Sequence, residues 1–143
     1  MMQILVLQGP NLNMLGWISR QTGTRLTLDK LNRALRHTAR ELGVELKIYQ
    51  NQSEVEASRI VQRQRNKVTG VLLIPGIWAS SGHLLQETLA IAELPLAVFH
   101  MVMESGPWKQ NSPSIFKDLA RIEEEGMGPD ELAGCLSRFA EQL

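Results

Sequence analysis

His100 is the residue of this sequence best placed for acid–base chemistry. It ends a predicted strand at residues 94–100, and open α/β sheets bind ligands beyond the carboxyl ends of their strands. A histidine can accept or donate a proton near neutral pH. A buried histidine with a structural hydrogen bond is the competing interpretation. His37 and His83 have no partners at metal-ligand spacing, so no metal site is expected.

Two asparagines follow the first predicted strand, at residues 4–7. Asn11 and Asn13 stand in the string Gly9-Pro10-Asn11-Leu12-Asn13, in which glycine and proline make a turn. Asparagine side chains often only close turns. Here the turn would present both amides at the carboxyl edge of the sheet, so we list them as candidate ligand-binding groups.

Ser80 and Ser81 follow the third predicted strand, at residues 71–74. Together with Pro75-Gly76 they resemble a strand-to-helix turn, where free N–H groups at the start of a helix can hold an anion. We expect one of the two serines to cap the helix that follows. The turn has too few glycines for a dinucleotide or P-loop site, so no cofactor is expected.

The hydrophobic pattern predicts the elements that position these residues. Short apolar runs alternate with longer amphipathic stretches, which predicts an α/β fold with a doubly wound parallel sheet of four or five strands. We expect a single domain over residues 1–143. The predicted strands are residues 4–7, 44–49, 71–74 and 94–100, and the predicted helices are residues 28–42, 53 to about 67, 80 or 81 to about 91, and 129 onward.

Composition limits the partners of the chain. Fifteen basic and fifteen acidic residues give no net charge, which argues against nucleic acid or an anionic membrane as a partner. The single cysteine, Cys135, lies on an apolar stripe and is expected in the core. The sequence contains no run of about 18 apolar residues, the length that a membrane-spanning helix needs. We therefore expect a cytoplasmic protein with a small-molecule ligand.

Three tryptophans fall in the predicted edge loops. Trp17, Trp78 and Trp108 each follow a different predicted strand. Loop tryptophans usually cover a core or an interface. Three of them at one edge predict a rather apolar pocket or a subunit contact.

The string Gln8-Gly9-Pro10-Asn11-Leu12-Asn13-Met14-Leu15-Gly16 resembles the opening motif of type II 3-dehydroquinate dehydratases, which reads I-N-G-P-N-L-N-x-L-G. Thr27-Leu28-Asp29, Pro75-Gly76 and the strand that ends at His100 continue the resemblance, which covers about the first 100 residues. It implies a flavodoxin-like fold, assembly as trimers or dodecamers, and anti dehydration of 3-dehydroquinate through an enolate.

The resemblance also implies roles for individual residues. Asn11 would stabilise the enolate through a water molecule, and His100 would be the general acid. The backbone of Met101 and Val102 would help to bind a carboxylate. Glu87 corresponds to the position in the third helix from which, in the family, an aspartate extends into the active site of a neighbouring subunit.

Several functional residues of the family are absent from this sequence. When positions are counted without gaps, they correspond to other residue types. The activating arginine falls on Ile18, the tyrosine base on Gly23, and the asparagine before Pro-Gly on Ile74. The glutamate two residues before the histidine falls on Val98, and an arginine of the next loop falls on Asn111. A small register shift could restore an arginine from Arg20 or Arg25, but the only tyrosine is Tyr49.

Three functions remain open from the sequence. The first is a family member repurposed for a less polar cyclic carbonyl or carboxylate compound, and the second is a genuine dehydratase with relocated residues, such as Arg20, Glu104 or Lys109. The third is a non-catalytic ligand-binding or assembly protein. The candidate catalytic residues are His100 and Asn11, and the candidate substrate-binding residues are Asn13, Ile74, Ser80, Ser81, Glu87, Met101, Val102 and Asn111.

Overall fold

Five parallel strands form one sheet in the computed structural model, which describes residues 1–21, 23, 25–104, 106–108 and 114–143. The strands are β1 (Gln3–Gln8), β2 (Glu45–Gln50), β3 (Gly70–Ile74), β4 (Leu96–Met101) and β5 (Ile122–Gly126). Their order in the sheet is β2-β1-β3-β4-β5, and every neighbouring pair is parallel. This is the flavodoxin-like order of a doubly wound sheet, so the predicted fold is confirmed.

Helices cover both faces of the sheet. In the described residues the helices are α1 (Leu15–Ile18), α2 (Leu28–Leu42), α3 (Glu54–Gln64), α4 (Trp78–Ser81), α5 (His83–Ala92) and α6 (Pro129–Glu141), and a short 3-10 turn covers Leu12–Met14. Helices α2 and α6 pack together on one face, and α3 and α5 pack together on the other.

Local sequence signals account for the ends of two helices. The Thr27 hydroxyl accepts the Lys30 N–H at 3.2 Å at the start of α2, and Gly43 ends that helix with a φ of 71°. The Ser53 hydroxyl accepts the Glu56 N–H at 3.2 Å at the start of α3. Such caps satisfy N–H groups that have no partner inside the helix. The predicted start of α3 is therefore confirmed.

The prediction that Ser80 or Ser81 caps the third long helix is wrong. Both serines lie in the short helix α4, and both hydroxyls donate to the carbonyl of Ile77. The helix breaks at Gly82, where a Cβ atom would lie 2.8 Å from the Trp78 carbonyl oxygen. The first turn of α5 is instead capped from α3, because the Glu54 carboxylate accepts the Leu85 N–H at 3.0 Å.

Two apolar cores lie on the two faces of the sheet. Cys135 belongs to the core under α2 and α6 and is fully buried, as predicted. Trp78 belongs to the core under α3 and α5 with an exposed fraction of 3%. The expectation that the three tryptophans line an apolar pocket or a subunit contact is therefore wrong for Trp78. None of the helices in the described ranges is long and apolar enough to cross a membrane.

Candidate active site

The loops after β1 and β3 touch at the carboxyl edge of the sheet. The Gly9 N–H donates to the Ile74 carbonyl at 2.8 Å. A Cβ atom on Gly9 would lie 2.2 Å from the Pro75 carbonyl oxygen, closer than non-bonded atoms approach. Only glycine therefore allows these two loops to meet as they do.

Asn11 is held in place by the loop after β2. Its backbone is left-handed, with a φ of 67°, a conformation that asparagine adopts more readily than most residues. The Asn11 N–H donates to Gln52 Oε1 at 2.8 Å, and Gln52 Nε2 donates to Asn11 Oδ1 at 3.1 Å. Gln50 Nε2 donates to both the Gly9 carbonyl and Gln52 Oε1. The side-chain oxygen of Asn11 thus already accepts one hydrogen bond, and the side chain can offer a ligand its NH₂ donor and the second lone pair of that oxygen.

His100 belongs to a second polar cluster, at the end of β4. Its Nε2 atom lies 2.8 Å from Glu123 Oε2, and the two side chains are 26% and 25% exposed. The Ser114 hydroxyl donates to the same Glu123 oxygen. The ring is therefore oriented by a carboxylate and keeps some access to solvent, as an acid–base group requires.

The two clusters stand apart along the edge. Asn11 follows β1 and His100 ends β4, with β3 between those strands. Neighbouring strands are about 4.8 Å apart, so the two backbones are separated by roughly 10 Å. That separation is comparable with the size of a small cyclic molecule.

The backbone N–H of Val102 is occupied. It donates to the Gly126 carbonyl at 2.9 Å and so extends the β4–β5 ladder. The next N–H, of Met103, donates to the Trp108 carbonyl at 2.6 Å. The Val102 N–H is therefore not free for a carboxylate, and binding by the Met101–Val102 backbone would use other atoms.

The other predicted site residues do not form one cluster in the described part of the chain, and they differ in burial. Ile74 is 1% exposed and its side chain packs in the core. The backbone N–H groups of Ser80 and Ser81 donate to the Ile77 carbonyl, so the free N–H groups expected at these serines are not found. Asn13 and Glu87 are exposed, and Asn111 lies outside the described residues.

Sequence reasoning missed Glu123, Ser114 and Gln52. Glu123 stands in Ile122-Glu123-Glu124-Glu125-Gly126, where period-two alternation places the first and third glutamates on one face of a strand. That pattern does not place either of them, Glu123 or Glu125, near His100, because that depends on the pairing register of β4 and β5.

Of the groups that could replace the missing arginine or the missing base, Arg20 and Arg25 make other contacts. The Arg20 guanidinium lies 3.8 Å over the Trp17 ring and donates to the Trp17 carbonyl. Arg25 donates to the Gly16 carbonyl at 3.2 Å. Tyr49 lies in β2 and packs against the core under α3 and α5. Glu104 is exposed, and Lys109 lies outside the described residues.

Cys135 is not placed to act as a nucleophile. It is fully buried, and burial, together with the nearby Glu124 carboxylate, raises the pKa of its thiol to about 12. Only the thiolate form attacks substrates. In the described residues there is also no group of three histidine, cysteine or acidic side chains arranged to hold a metal ion.

Residues 2–139 match the family described as Dehydroquinase class II. The chain belongs to this family. A 3-dehydroquinate dehydratase of Geotalea daltonii is 33% identical over 129 residues, which is 90% of this chain and 90% of the relative. The 3-dehydroquinate dehydratase 2 of Pseudomonas putida is 31% identical over 142 residues, with 98% of this chain and 94% of the relative covered.

The fold of the class II dehydroquinases is shared as well. The type II dehydroquinase of Propionibacterium acnes superimposes with a TM-score of 0.82 and 25% identity, covering 99% of this chain and 97% of that one. The class II dehydroquinase relationship suggested by the Gly-Pro-Asn-Leu-Asn string is therefore confirmed, and it extends over nearly the whole chain.

Proposed function

We propose that this class II dehydroquinase family member exchanges a proton with a small cyclic carbonyl or carboxylate compound less polar than 3-dehydroquinate. His100 is the acid–base group and Asn11 the polar anchor. The contact that carries the proposal is the one between His100 and Glu123 at the carboxyl edge. It gives the ring a fixed orientation while leaving about a quarter of the side chain exposed.

The preference for a less polar compound rests on apolar side chains at the same edge. Met14 is 46% exposed, Trp17 61% and Ile77 61%, all in the segments that follow β1 and β3. Burying a hydroxyl group against such side chains without a partner costs roughly 1–3 kcal/mol. A polyhydroxylated ring would meet this cost several times, whereas a flatter and more apolar ring would not.

Conversion of 3-dehydroquinate itself is the second candidate. The observation that favours it is the name of the relatives, since proteins called 3-dehydroquinate dehydratase align over 90% or more of both chains. In that case another group would replace the tyrosine base that falls on Gly23. His100 would keep its role in both candidates.

Turnover of 3-dehydroquinate distinguishes the two candidates. The product absorbs in the ultraviolet, so the rise in absorbance can be followed directly. We expect a kcat well below the ordinary enzyme range of about 1–10³ s⁻¹. A kcat within that range that is abolished by His100→Ala would establish the second candidate instead.

Gly23 provides a sharper version of the same experiment. A Cβ atom at this position meets nothing within 4 Å, so a side chain can be introduced at Gly23 without a clash at its first atom, and Gly23→Tyr is the variant to make. If the missing tyrosine limits the reaction, this variant gains activity by up to the factor of about 10²–10⁴ typical of one acid–base group. Gly23→Phe is the matched control, because it adds the same ring without the hydroxyl and should gain nothing.

Ligand binding can be tested with variants at the two clusters. A panel of cyclic carboxylic acids and cyclic ketones would be screened by calorimetry, and His100→Ala should weaken the best binder. Asn11→Gly is preferable to Asn11→Ala, because alanine would add strain at the left-handed φ of 67°. If no compound binds, or if both variants bind as the wild type does, the chain is better described as a non-catalytic member of the family.

Self-association as a trimer or a multiple of it is also part of the proposal. Glu87 lies on α5 beside a groove of about 480 Å³ between α3 and α5. Leu84 is 45% exposed there and Ile91 is 75% exposed. Apolar side chains grouped on one surface often mark an interface. Light scattering that shows only the 16.0 kDa monomer at micromolar concentration would contradict this part.

A further inference from the structure

We infer that Glu123 is the positioning residue of this site and that it makes Nδ1 the nitrogen of His100 that exchanges protons. The inference rests on the proposed function, in which His100 is the acid–base group, and it adds the atom that acts and the group that orients it. It begins from the 2.8 Å contact between His100 Nε2 and Glu123 Oε2.

The hydrogen bonds around Glu123 decide where the protons lie. An ionised carboxylate can only accept hydrogen bonds. The Ser114 hydroxyl oxygen accepts the Phe116 N–H at 3.2 Å, and its own proton points to Glu123 Oε2. Ser114 and the ring thus meet the same carboxylate oxygen, and in its ionised form that oxygen has no proton to give to the ring. Nε2 of His100 therefore carries a proton in this contact.

A proton on Nε2 leaves Nδ1 as the reactive atom. In the neutral ring Nδ1 has a lone pair, and it forms no hydrogen bond with the described residues. When Nδ1 takes up a proton, the resulting imidazolium is held beside the Glu123 carboxylate. When Nδ1 gives the proton to a departing group, the ring returns to the neutral Nε2–H form, and no other bond in the cluster changes.

The position of Glu123 follows from the register of the sheet. The Cα partner of Glu123 on β4 is Val98, and the Cα partner of His100 is Glu125. The bond to His100 is therefore a diagonal one between neighbouring strands on one face. Ser114 joins the same carboxylate from the chain that precedes β5. One side chain thus ties β4, β5 and that chain segment together.

Imidazole nitrogen NMR of the full-length protein tests the inference without a substrate. In the neutral form, His100 is expected to give one tautomer, with the proton on Nε2. Glu123→Ala should remove this preference, so that His100 shows the mixed tautomers of a free imidazole. Ser114→Ala should weaken the preference, because it frees the carboxylate to move away from the ring.

Glu124→Ala is the matched control. Glu124 also lies on β5 and also makes an ion pair, with Arg138 of α6 at 2.6 Å, but it faces the opposite side of the sheet. Its loss should leave the His100 spectrum as in the wild type. If Glu124→Ala changed the tautomer as much as Glu123→Ala, the effect would come from general disturbance of β5, and the inference would fail.

Two results would overturn the inference directly. One is a wild-type His100 that carries its proton on Nδ1 or that shows both tautomers equally. The other is an unaltered His100 spectrum in Glu123→Ala. If that variant does not fold, as judged by its amide spectrum, Glu123→Leu provides the second measurement. Its side chain is close in size to that of glutamate and can neither donate nor accept a hydrogen bond, so the single tautomer should again be lost.

The tautomer and the function are tested separately. The NMR measurement can succeed while no compound in the binding panel responds to His100→Ala, in which case the proposed function fails and the proton assignment stands. If the panel responds but the tautomer is mixed, His100 acts without Glu123, and only the present inference fails.

Discussion

Substitution of Gly9 by alanine should be among the most damaging one-methyl changes in this protein. The added Cβ atom would lie 2.2 Å from the Pro75 carbonyl oxygen, 2.8 Å from its carbonyl carbon and 3.1 Å from the Ile74 carbonyl oxygen. All three atoms are backbone and cannot be moved by a rotamer change. The loop after β1 must therefore shift by about 1 Å relative to the loop after β3 to restore ordinary contact distances.

The expected cost of Gly9→Ala can be estimated from two terms. Overpacking of a well-packed site costs about 1–3 kcal/mol. The shift also stretches the 2.8 Å hydrogen bond from the Gly9 N–H to the Ile74 carbonyl, and a hydrogen bond contributes about 1 kcal/mol. The free energy of unfolding should therefore fall by about 2–4 kcal/mol, a large part of the stability of an ordinary domain.

Urea unfolding followed by circular dichroism measures this difference. Gly23→Ala is the matched control, because its Cβ atom would meet nothing within 4 Å. That variant should change the free energy of unfolding by less than about 1 kcal/mol, in the stabilising direction if at all. A Gly9→Ala protein within 0.5 kcal/mol of the wild type (about the scatter of surface substitutions) would refute the reasoning about the contact between the two loops.

Three further predictions concern stability and local order. Glu54→Ala should lower the free energy of unfolding in urea by about 1 kcal/mol because α5 loses its cap, whereas Glu56→Ala, which removes only surface ion pairs, should cost about half of that or less. The free energy of unfolding should fall as the pH rises from 9 to about 12, because the Cys135 thiol ionises at a lower pH in the unfolded chain than in the folded protein, where its pKa is raised to about 12. In the Cys135→Ala variant, the decrease in the free energy of unfolding with pH should be smaller by up to about 1.4 kcal/mol per pH unit. Ser19 is fully buried and bonds to both backbone groups of Leu26, so Ser19→Ala should speed tryptic cleavage between residues 19 and 26; an unchanged cleavage rate would contradict this.

The elements of this fold could be predicted from the sequence because the signals that define them are local. Apolar runs of strand length and stripes of helical period are visible within about ten residues. The start of α3 was predicted from Ser53 and its neighbours and is confirmed. The alternation of strands and helices also determined the class of sheet. It located the carboxyl edge to which Asn11 and His100 belong.

The arrangement at that edge was decided by tertiary contacts. Glu123 lies beside His100 because β5 pairs with β4 in one particular register, and the two residues are 23 positions apart in the chain. Glu54 caps α5 from 31 positions away, whereas the local sequence favours the nearby serines as caps. Contacts of this kind depend on strand order, register and helix packing, and no local pattern encodes them. The sequence therefore determined which strands end at the site, while the folded chain decided which polar groups meet there.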